Sequence, residues 1–359
     1  MFFDKSLLLI YLCKYLNNMN EKKRGILLMN LGSPDSTSVK DVRKYLNEFL
    51  MDERVIDVPY LLRAFIVKGI VTPFRAPKSA EAYKTIWTNE GSPLVQMTRK
   101  LQQELQAQVN EPVEIGMRYG NPSTEEGFEK LIQREPGLEE VIAMPLYPHY
   151  AMSSYETAVE YAKEIHTKKG YAFKLTFIDP YYNNDRYIDA LAESMRPYLQ
   201  QEYDHILFSY HGVPGRHIRK SDVTGSHCLS TADCCEKDSP AHAHCYRHQC
   251  FTTTKLVTQK LGIAPGKYSI SFQSRLGKGW LQPFTDIRLA EMPAEGIKKL
   301  LILCPAFVSD CLETLEEIAE RGKETFMEAG GEEYTMIPCM NIQPKWVLAV
   351  KSLVEHVDR

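Results

Sequence analysis

The stretch "RGILLMNLGSPDS", residues 24–36, decides the fold. Ile26 to Asn30 read as a buried strand that runs into a Gly-Ser-Pro turn. The following "SVKDVRKYLNEFLMD" (38–52) carries apolar residues at helical spacing, which makes a strand-loop-helix unit. "EPVEIGMRYGNPS" (111–123) repeats the design after the helical "TRKLQQELQAQV" (98–109). "LEEVIAMPLYPHYAMSSYETAVEYAKEIH" (138–166) repeats it again. The second half repeats the grammar in the four strands of "YAFKLTFIDPYY" (171–182), "YDHILFSYHGVP" (203–214), "GKYSISFQSRLGKGW" (266–280) and "KKLLILCPAFVSDCLETLEEIAERG" (298–322). Alternation of this kind predicts an α/β protein of two similar Rossmann-like domains, each a parallel sheet flanked by helices. In open parallel sheets ligands bind beyond the carboxyl ends of strands, so the loaded loops are expected to face one cleft between the domains. The boundary is placed near residue 178, giving domains 20–178 and 179–359.

A chain of 359 residues with 44% hydrophobic content buries a core large enough for two such units. Its net charge of -3 gives no basic face for nucleic acid. Nine cysteines, an odd number, without a secretory leader pattern point to a reducing, cytoplasmic setting in which thiols stay free or bind metal. The apolar run Leu7 to Cys13 falls far below the ~20 residues that span a bilayer. Met19 precedes "NEKKRGILLMN", so residues 1–19 read as an over-extended start rather than a targeting segment. Between residues 58 and 75, Leu61, Leu62, Phe65, Ile66, Val67, Ile70, Val71 and Phe74 fall on nearly every side of a helix. Such a segment is either core or an exposed lip that meets a greasy ligand or, peripherally, the inner face of a membrane.

Three groups of residues carry chemistry. His211 in "SYHGVP" ends a strand before a Gly-Val-Pro turn that projects its imidazole into the cleft, where it accepts a proton or binds a metal; a lone histidine is also compatible with a structural role. Asp310, Glu313 and Glu317 follow a buried strand at spacings of three and four, which aligns carboxylates on one helical face. They are either an acidic first turn suited to the helix dipole or a ladder for protons and divalent cations. Arg118 and Tyr119, Tyr147 and Tyr150 with His149, Trp280, and Tyr83 with Ser92 in "AYKTIWTNEGSP" (82–93) supply flat surfaces and polar groups for a planar apolar ligand bearing carboxylates.

Taken in order, "GILLMNLGSP", "MRYGNPS", "PLYPHY", "SYHGVP", "FQSRLGKGWLQPFTD" and "CPAFVSDCLETLEEI" resemble the ferrochelatases, from about Gly25 to the C-terminus. The resemblance implies an enzyme that inserts Fe(II), its metal substrate, into protoporphyrin IX to give protohaem. It implies that His211 and Glu313 act on the metal side of the ring, with Glu317 and Asp310 as further rungs. Leu31 would face the other side of the ring, and Tyr83, Ser92, Arg118, Tyr119, Tyr147, Tyr150 and Trp280 would help hold and bend it. Three positions depart from the animal pattern. Cys311 stands where a histidine precedes the glutamate by two, Arg321 stands at the rung after Glu317, and no arginine pair flanks Gly69. That leaves Arg63, Lys68 and Arg75 as candidates for the propionates. The alternatives are coproporphyrin III as substrate, cobalt or nickel insertion into an early tetrapyrrole, and a non-catalytic tetrapyrrole or metal sensor on the same scaffold.

Residues 226–250, "SHCLSTADCCEKDSPAHAHCYRHQC", form an insertion in the loop that follows His211. Cys228, Cys234, Cys235, Cys245 and Cys250 offer five thiols, of which four suffice for tetrahedral zinc or a [2Fe-2S] cluster. An unmetallated loop is the remaining reading. Spacing does not separate these; the resemblance to bacterial family members with an internal cysteine-rich segment favours the cluster, with Cys234 or Cys235 spare. Oligomeric state is not readable from the chain.

Overall fold

The computed structural model describes residues 22–357 apart from Leu276 and Lys278, so the 1–19 extension and Cys13 lie outside the described residues. Two four-stranded parallel sheets form the frame. The first holds β1 (Arg24–Ser33), β2 (Val113–Gly120), β3 (Glu140–Pro145) and β4 (Lys174–Phe177) in the order β2-β1-β3-β4. The second holds β5 (His205–His211), β6 (Tyr268–Gln273), β7 (Lys299–Leu303) and β8 (Glu333–Met336) in the matching order β6-β5-β7-β8. In both sheets the chain reverses its direction of travel beside the first strand, which puts the carboxyl ends of β1 and β5 at the switch points where α/β sheets bind ligands. One sequence assignment is corrected: the segment 171–182 supplies β4 of the first sheet, and the second sheet is completed by β8.

Why these segments are strands is visible in their burial. Ile26, Leu27, Leu28 and Met29 are all at most 2% exposed, as a parallel strand covered on both faces requires. Successive side chains alternate between faces, so Ile26 and Leu28 join one core while Leu27 and Met29 join another. β5 divides in the same way: Ile206, Phe208 and Tyr210 enter the core that Ile26 and Leu28 share, and Leu207 enters a separate one. The shared core therefore lies between the sheets.

Twelve α-helices among the described residues cover the frame. Of those in the first half, α1 (Val39–Leu50) is capped by Ser38, whose side chain accepts from the Asp41 amide. After it, α2 (Tyr60–Ala64) continues through a π-helical stretch (Phe65–Val71) into α3 (Thr72–Ile86). α4 (Pro93–Gln106), α5 (Thr124–Arg134), α6 (Thr157–Lys169) and α7 (Asp185–Met195) follow. In the second half come α8 (Gly215–Lys220), α9 (Tyr246–Leu261), α10 (Thr285–Glu291), a further π-helix (Glu313–Gly322), α11 (Lys323–Glu328) and α12 (Pro344–Glu355). The apolar segment at 58–75 divides between both readings. Val67 is buried, whereas Tyr60, Leu61, Phe65 and Phe74 are 60–82% exposed and form a lip. No helix among the described residues is long and apolar enough to cross a membrane.

Candidate functional site

His211 is the last residue of β5, at the second switch point. Its Nδ1 lies 2.7 Å from the carbonyl oxygen of Gly212, which only accepts, so Nδ1 carries a proton and the lone pair of the neutral tautomer falls on Nε2. Gly212 is required by close approach. A Cβ there would stand 2.7 Å from the Gln273 carbonyl oxygen and 3.3 Å from the Trp280 ring, while its own N–H donates to that carbonyl at 2.8 Å. Trp280 thus lies against the histidine's neighbour, and Phe307 meets the imidazole edge-on at 6.1 Å.

The carboxylates come from the π-helix after β7. π-Helical turns are rare and frequently occur at functional sites. Glu313 is anchored through its backbone, its carbonyl accepting from Gln273 Nε2 at 2.9 Å; Gln273 in turn accepts from Ser209 Oγ at 2.8 Å. Glu317 accepts from the Ser274 amide at 2.8 Å and the Ser274 hydroxyl at 2.6 Å. Burial raises the Glu317 pKa. The Ser274 hydroxyl and His211 oppose that rise, and the Glu313 carboxylate adds to it. His211, Glu313 and Glu317 therefore share one field. Cys311 joins them: burial first, then the Glu313 carboxylate with which it is hydrogen-bonded, push its thiol well up. Burial, then Glu313, also raises the Tyr83 hydroxyl.

The structure separates other expected site residues. Asp310 is corrected from a rung of the ladder to a structural acceptor. It is 8% exposed, and its carboxylate is occupied by the Cys339 amide (3.1 Å), Thr314 Oγ1 (3.2 Å) and Asn341 Nδ2 (2.7 Å). Arg321 pairs with Glu316 at 2.7 Å and does not extend the ladder. Arg118 ion-pairs with Asp52, donates to Thr157 Oγ1 at 2.8 Å, and stacks on Tyr119 and Tyr161 at 4.3 and 4.1 Å. Tyr119 is fully buried and donates to Asp52 at 3.0 Å, so both residues brace the wall in this state. Tyr150 faces the thiol insertion, its hydroxyl on Glu156 and its ring 4.8 Å from His244. Leu31 is half-buried between two cores, Ser92 occupies the position before the first turn of α4, and the buried Tyr147 hydroxyl has no partner. Arg63 is buried and donates to the Ile56 carbonyl at 3.1 Å, leaving Lys68 and Arg75 as the exposed cations of the lip.

All five thiols of the insertion are buried. Cys245 is hydrogen-bonded to both Cys235 and Cys228, and Cys234 lies within the field of each of the latter two. The bond from Cys235 outweighs burial and lowers the Cys245 pKa to about 6. Arg247 Nη1 stands 3.3 Å from Cys235 Sγ and 3.7 Å from Cys234 Sγ. His227 and His242 reach the Cys234 carbonyl at 2.7 and 3.2 Å, and His248 reaches that of Cys235 at 2.9 Å. Cys250 stands apart on α9, fully buried against Tyr246 with its thiol pKa raised by burial. Among the described residues no three His, Cys, Asp or Glu side chains converge tightly enough to hold a single metal ion.

Gln273, Ser274, Phe307 and Tyr246 went unread in the sequence; the signal for the first three was their place at the carboxyl ends of β6 and β7. A family model described as Ferrochelatase matches residues 23–357. The ferrochelatase of Pseudomonas fluorescens (strain Pf0-1) is 50% identical over 335 residues, covering 92% of this chain and 97% of its own. That of Opitutus terrae is 49% identical over 328 residues, covering 90% and 94%. Among solved structures, SirB from Bacillus subtilis with Fe3+ superposes with a TM-score of 0.53 at 14% identity, covering 93% of this chain and 95% of that one, a likeness of fold alone. With the family model spanning both sheets and half the residues shared with curated relatives along nearly their whole length, the chain belongs to the ferrochelatase family.

Proposed function

We propose that the protein inserts Fe(II) into protoporphyrin IX, releasing two protons as the metal replaces the two pyrrole N–H hydrogens. The observation that carries this is His211 at the switch point of the second sheet with Glu313 and Glu317 tethered beside it through Gln273 and Ser274, the residues at the end of the neighbouring β6. His211 Nε2, with its lone pair free, takes one pyrrole proton. The raised pKa of Glu317 makes it a better acceptor for the second than an ordinary surface carboxylate. The macrocycle supplies four nitrogens to the iron, so the protein need offer only one or two ligands, His211 and Glu313, and a tight three-residue metal site is not required. Tyr83, Trp280 and Leu31 are assigned to the ring, with Tyr147 supplying a free hydroxyl. Bending a flat porphyrin exposes lone pairs that otherwise lie in its plane, and binding energy from these contacts sustains the strain.

The exposed Leu61, Phe65 and Phe74 favour protoporphyrin over the more acidic coproporphyrin III, and favour peripheral contact with a membrane surface on the cytoplasmic side. A sensor without catalysis is disfavoured because His211 and Glu313 are intact. The test is to supply protoporphyrin or coproporphyrin with Fe(II), Zn(II) or Co(II) and follow the porphyrin spectrum. Insertion by the intact protein that His211→Ala abolishes is expected; no insertion by either would refute the enzyme.

For the insertion loop we assign a [2Fe-2S] cluster to Cys228, Cys234, Cys235 and Cys245. Each iron of such a cluster takes two thiolates and completes its shell with sulfide, whereas zinc needs four ligands around one point. Thiols that pair through Cys245 without converging fit the former, as do the Arg247 donors, which favour thiolate. The cluster would supply a cross-link and redox sensitivity to a loop that has no strand or long helix of its own. Brown protein with equal iron and acid-labile sulfide is expected; colourless protein with stoichiometric zinc would overturn the assignment.

A further inference from the structure

We infer that Tyr246 is a positioning residue that fixes His211 and ties it to the thiol segment. The inference rests on the reading that Cys228, Cys234, Cys235 and Cys245 hold a metal centre. Tyr246 is 4% exposed, and its hydroxyl donates to the carbonyl oxygen of His211 at 2.9 Å across 35 residues of sequence. That bond matters because β5 is least supported there. Its pairing with β7 stops at Phe208, three residues before His211, while β6 holds the strand end through the Gly212 amide. The Tyr246 hydroxyl is the added restraint on the residue whose imidazole does the chemistry.

The other end of the connection is covalent. Tyr246 follows Cys245 directly, and Cys245 is the thiol that meets both Cys228 and Cys235. Its Cα is therefore one peptide link, ~3.8 Å, from that of the central thiolate. Tyr246 also opens α9 and packs edge-on to the buried His149 ring at 6.0 Å, which is itself bonded to Thr253 on the same helix at 2.9 Å. A displacement of Cys245 cannot be absorbed by a flexible linker before it reaches the hydroxyl. Losing the metal centre thus loosens the His211 carbonyl, and the imidazole loses its fixed approach to the ring.

The test combines Tyr246→Phe with removal of the metal from the wild-type holoprotein. Phenylalanine keeps the ring packing and deletes the hydroxyl, and with it both the bond to the His211 carbonyl and the one shared with the buried Cys250 thiol. The variant is expected to retain wild-type visible absorption, iron and sulfide. Its kcat for insertion should fall roughly three- to tenfold, the order of one hydrogen bond, with the porphyrin KM unchanged and amide exchange in the 208–214 peptide several-fold faster. Stripping the centre from the wild type should accelerate exchange in the same peptide, and in Tyr246→Phe stripping should add little further. Wild-type kcat and exchange in the variant would overturn the positioning role. Unchanged exchange at 208–214 after stripping, with residues 226–245 loosened, would overturn the coupling. Iron and sulfide analysis reads the cluster independently: zinc in their place changes the metal and leaves both arms standing, and a segment isolated without any metal refutes the coupling together with the cluster.

Discussion

Asp57 is where the lip grips the second domain, and Asp57→Asn is the substitution that measures the grip. The carboxylate is 5% exposed and accepts from Arg216 Nε at 2.5 Å and Lys220 Nζ at 2.7 Å, with the buried His217 Nε2 at 3.4 Å. All three partners lie on α8, which begins three residues beyond Gly212. Burial alone would raise the Asp57 pKa, but the Lys220 and Arg216 bonds and the His217 ring override it and hold the carboxyl at about 2 against an ordinary 3.8. At roughly 1.4 kcal/mol per decade that difference corresponds to about 2.4 kcal/mol. Arg216 and Lys220 are more than half exposed, so solvent screening reduces the expected loss in Asp57→Asn to about 1–2 kcal/mol. For a protein of this size that is a fall in Tm of about 1–3 °C. Because the folded pKa is depressed, the stabilisation is complete above the unfolded value of 3.8 and is lost as pH falls through about 2. Urea titrations of the two proteins at pH 7 and pH 5 should give the same difference, smaller at pH 3.5 and at 1 M salt. Porphyrin KM should rise with kcat held, since the lip loosens while His211 does not. A difference below about 0.3 kcal/mol at pH 7 and low salt, or one that grows with salt, would refute the clasp.

Gly212→Ala puts a methyl carbon against the Gln273 carbonyl and the Trp280 ring, so a loss of about 1–3 kcal/mol is expected by urea unfolding. Insertion should fall at least as far as in Tyr246→Phe, because the shift falls beside His211 itself. Ser274→Ala deletes the 2.6 Å donor to Glu317, a bond that lowers that carboxyl's pKa. The acid limb of the kcat profile should therefore move to higher pH, and a move to lower pH would contradict the assignment of Glu317 as proton acceptor. Replacing Leu61, Phe65 and Phe74 by serine should leave the unfolding midpoint nearly unchanged and weaken flotation with phospholipid vesicles, which sedimentation of the two proteins compares directly.

Strands with uninterrupted apolar runs were readable because burial on both faces leaves no other solution, and β1, β3, β5 and β7 are of that kind. β8 was not: Glu333 is exposed and the next three residues are half-buried, so "EYTM" has no strand signature of its own and is recruited by β7. The placement of His211 at a strand end and of Glu313 and Glu317 after a buried strand was legible, since it depends on strand positions and not on helix type. It was not legible for Asp310, since spacing along one segment does not reveal that residues 339–341 return to fill its carboxylate. The same limit explains the thiols. Five cysteines within 23 residues look interchangeable in sequence, and only the direction of α9, which turns Cys250 inward to Tyr246, Tyr187 and Tyr210, divides four from one.

On the proposed reading the two regions would differ in how much of a coordination shell the protein supplies, and that difference fits their architecture. At His211 a bound porphyrin would bring four nitrogens, so on this reading an imidazole at a strand end and carboxylates on an adjacent π-helix would be enough, and more ligands would trap the iron before insertion. The wider turn of the π-helix relaxes the strict α-helical ladder over the stretch that carries Glu313 and Glu317. In the insertion loop a cluster of the proposed kind would take every thiolate from the protein, which fits thiols gathered in one continuous segment and buried. The loop between them is short: α8 leaves the histidine turn toward the lip at Asp57, and α9 returns from Cys245 to the histidine carbonyl through Tyr246. The return leg of the excursion thus holds the His211 carbonyl, while the outward leg, α8, is tied to the lip at Asp57.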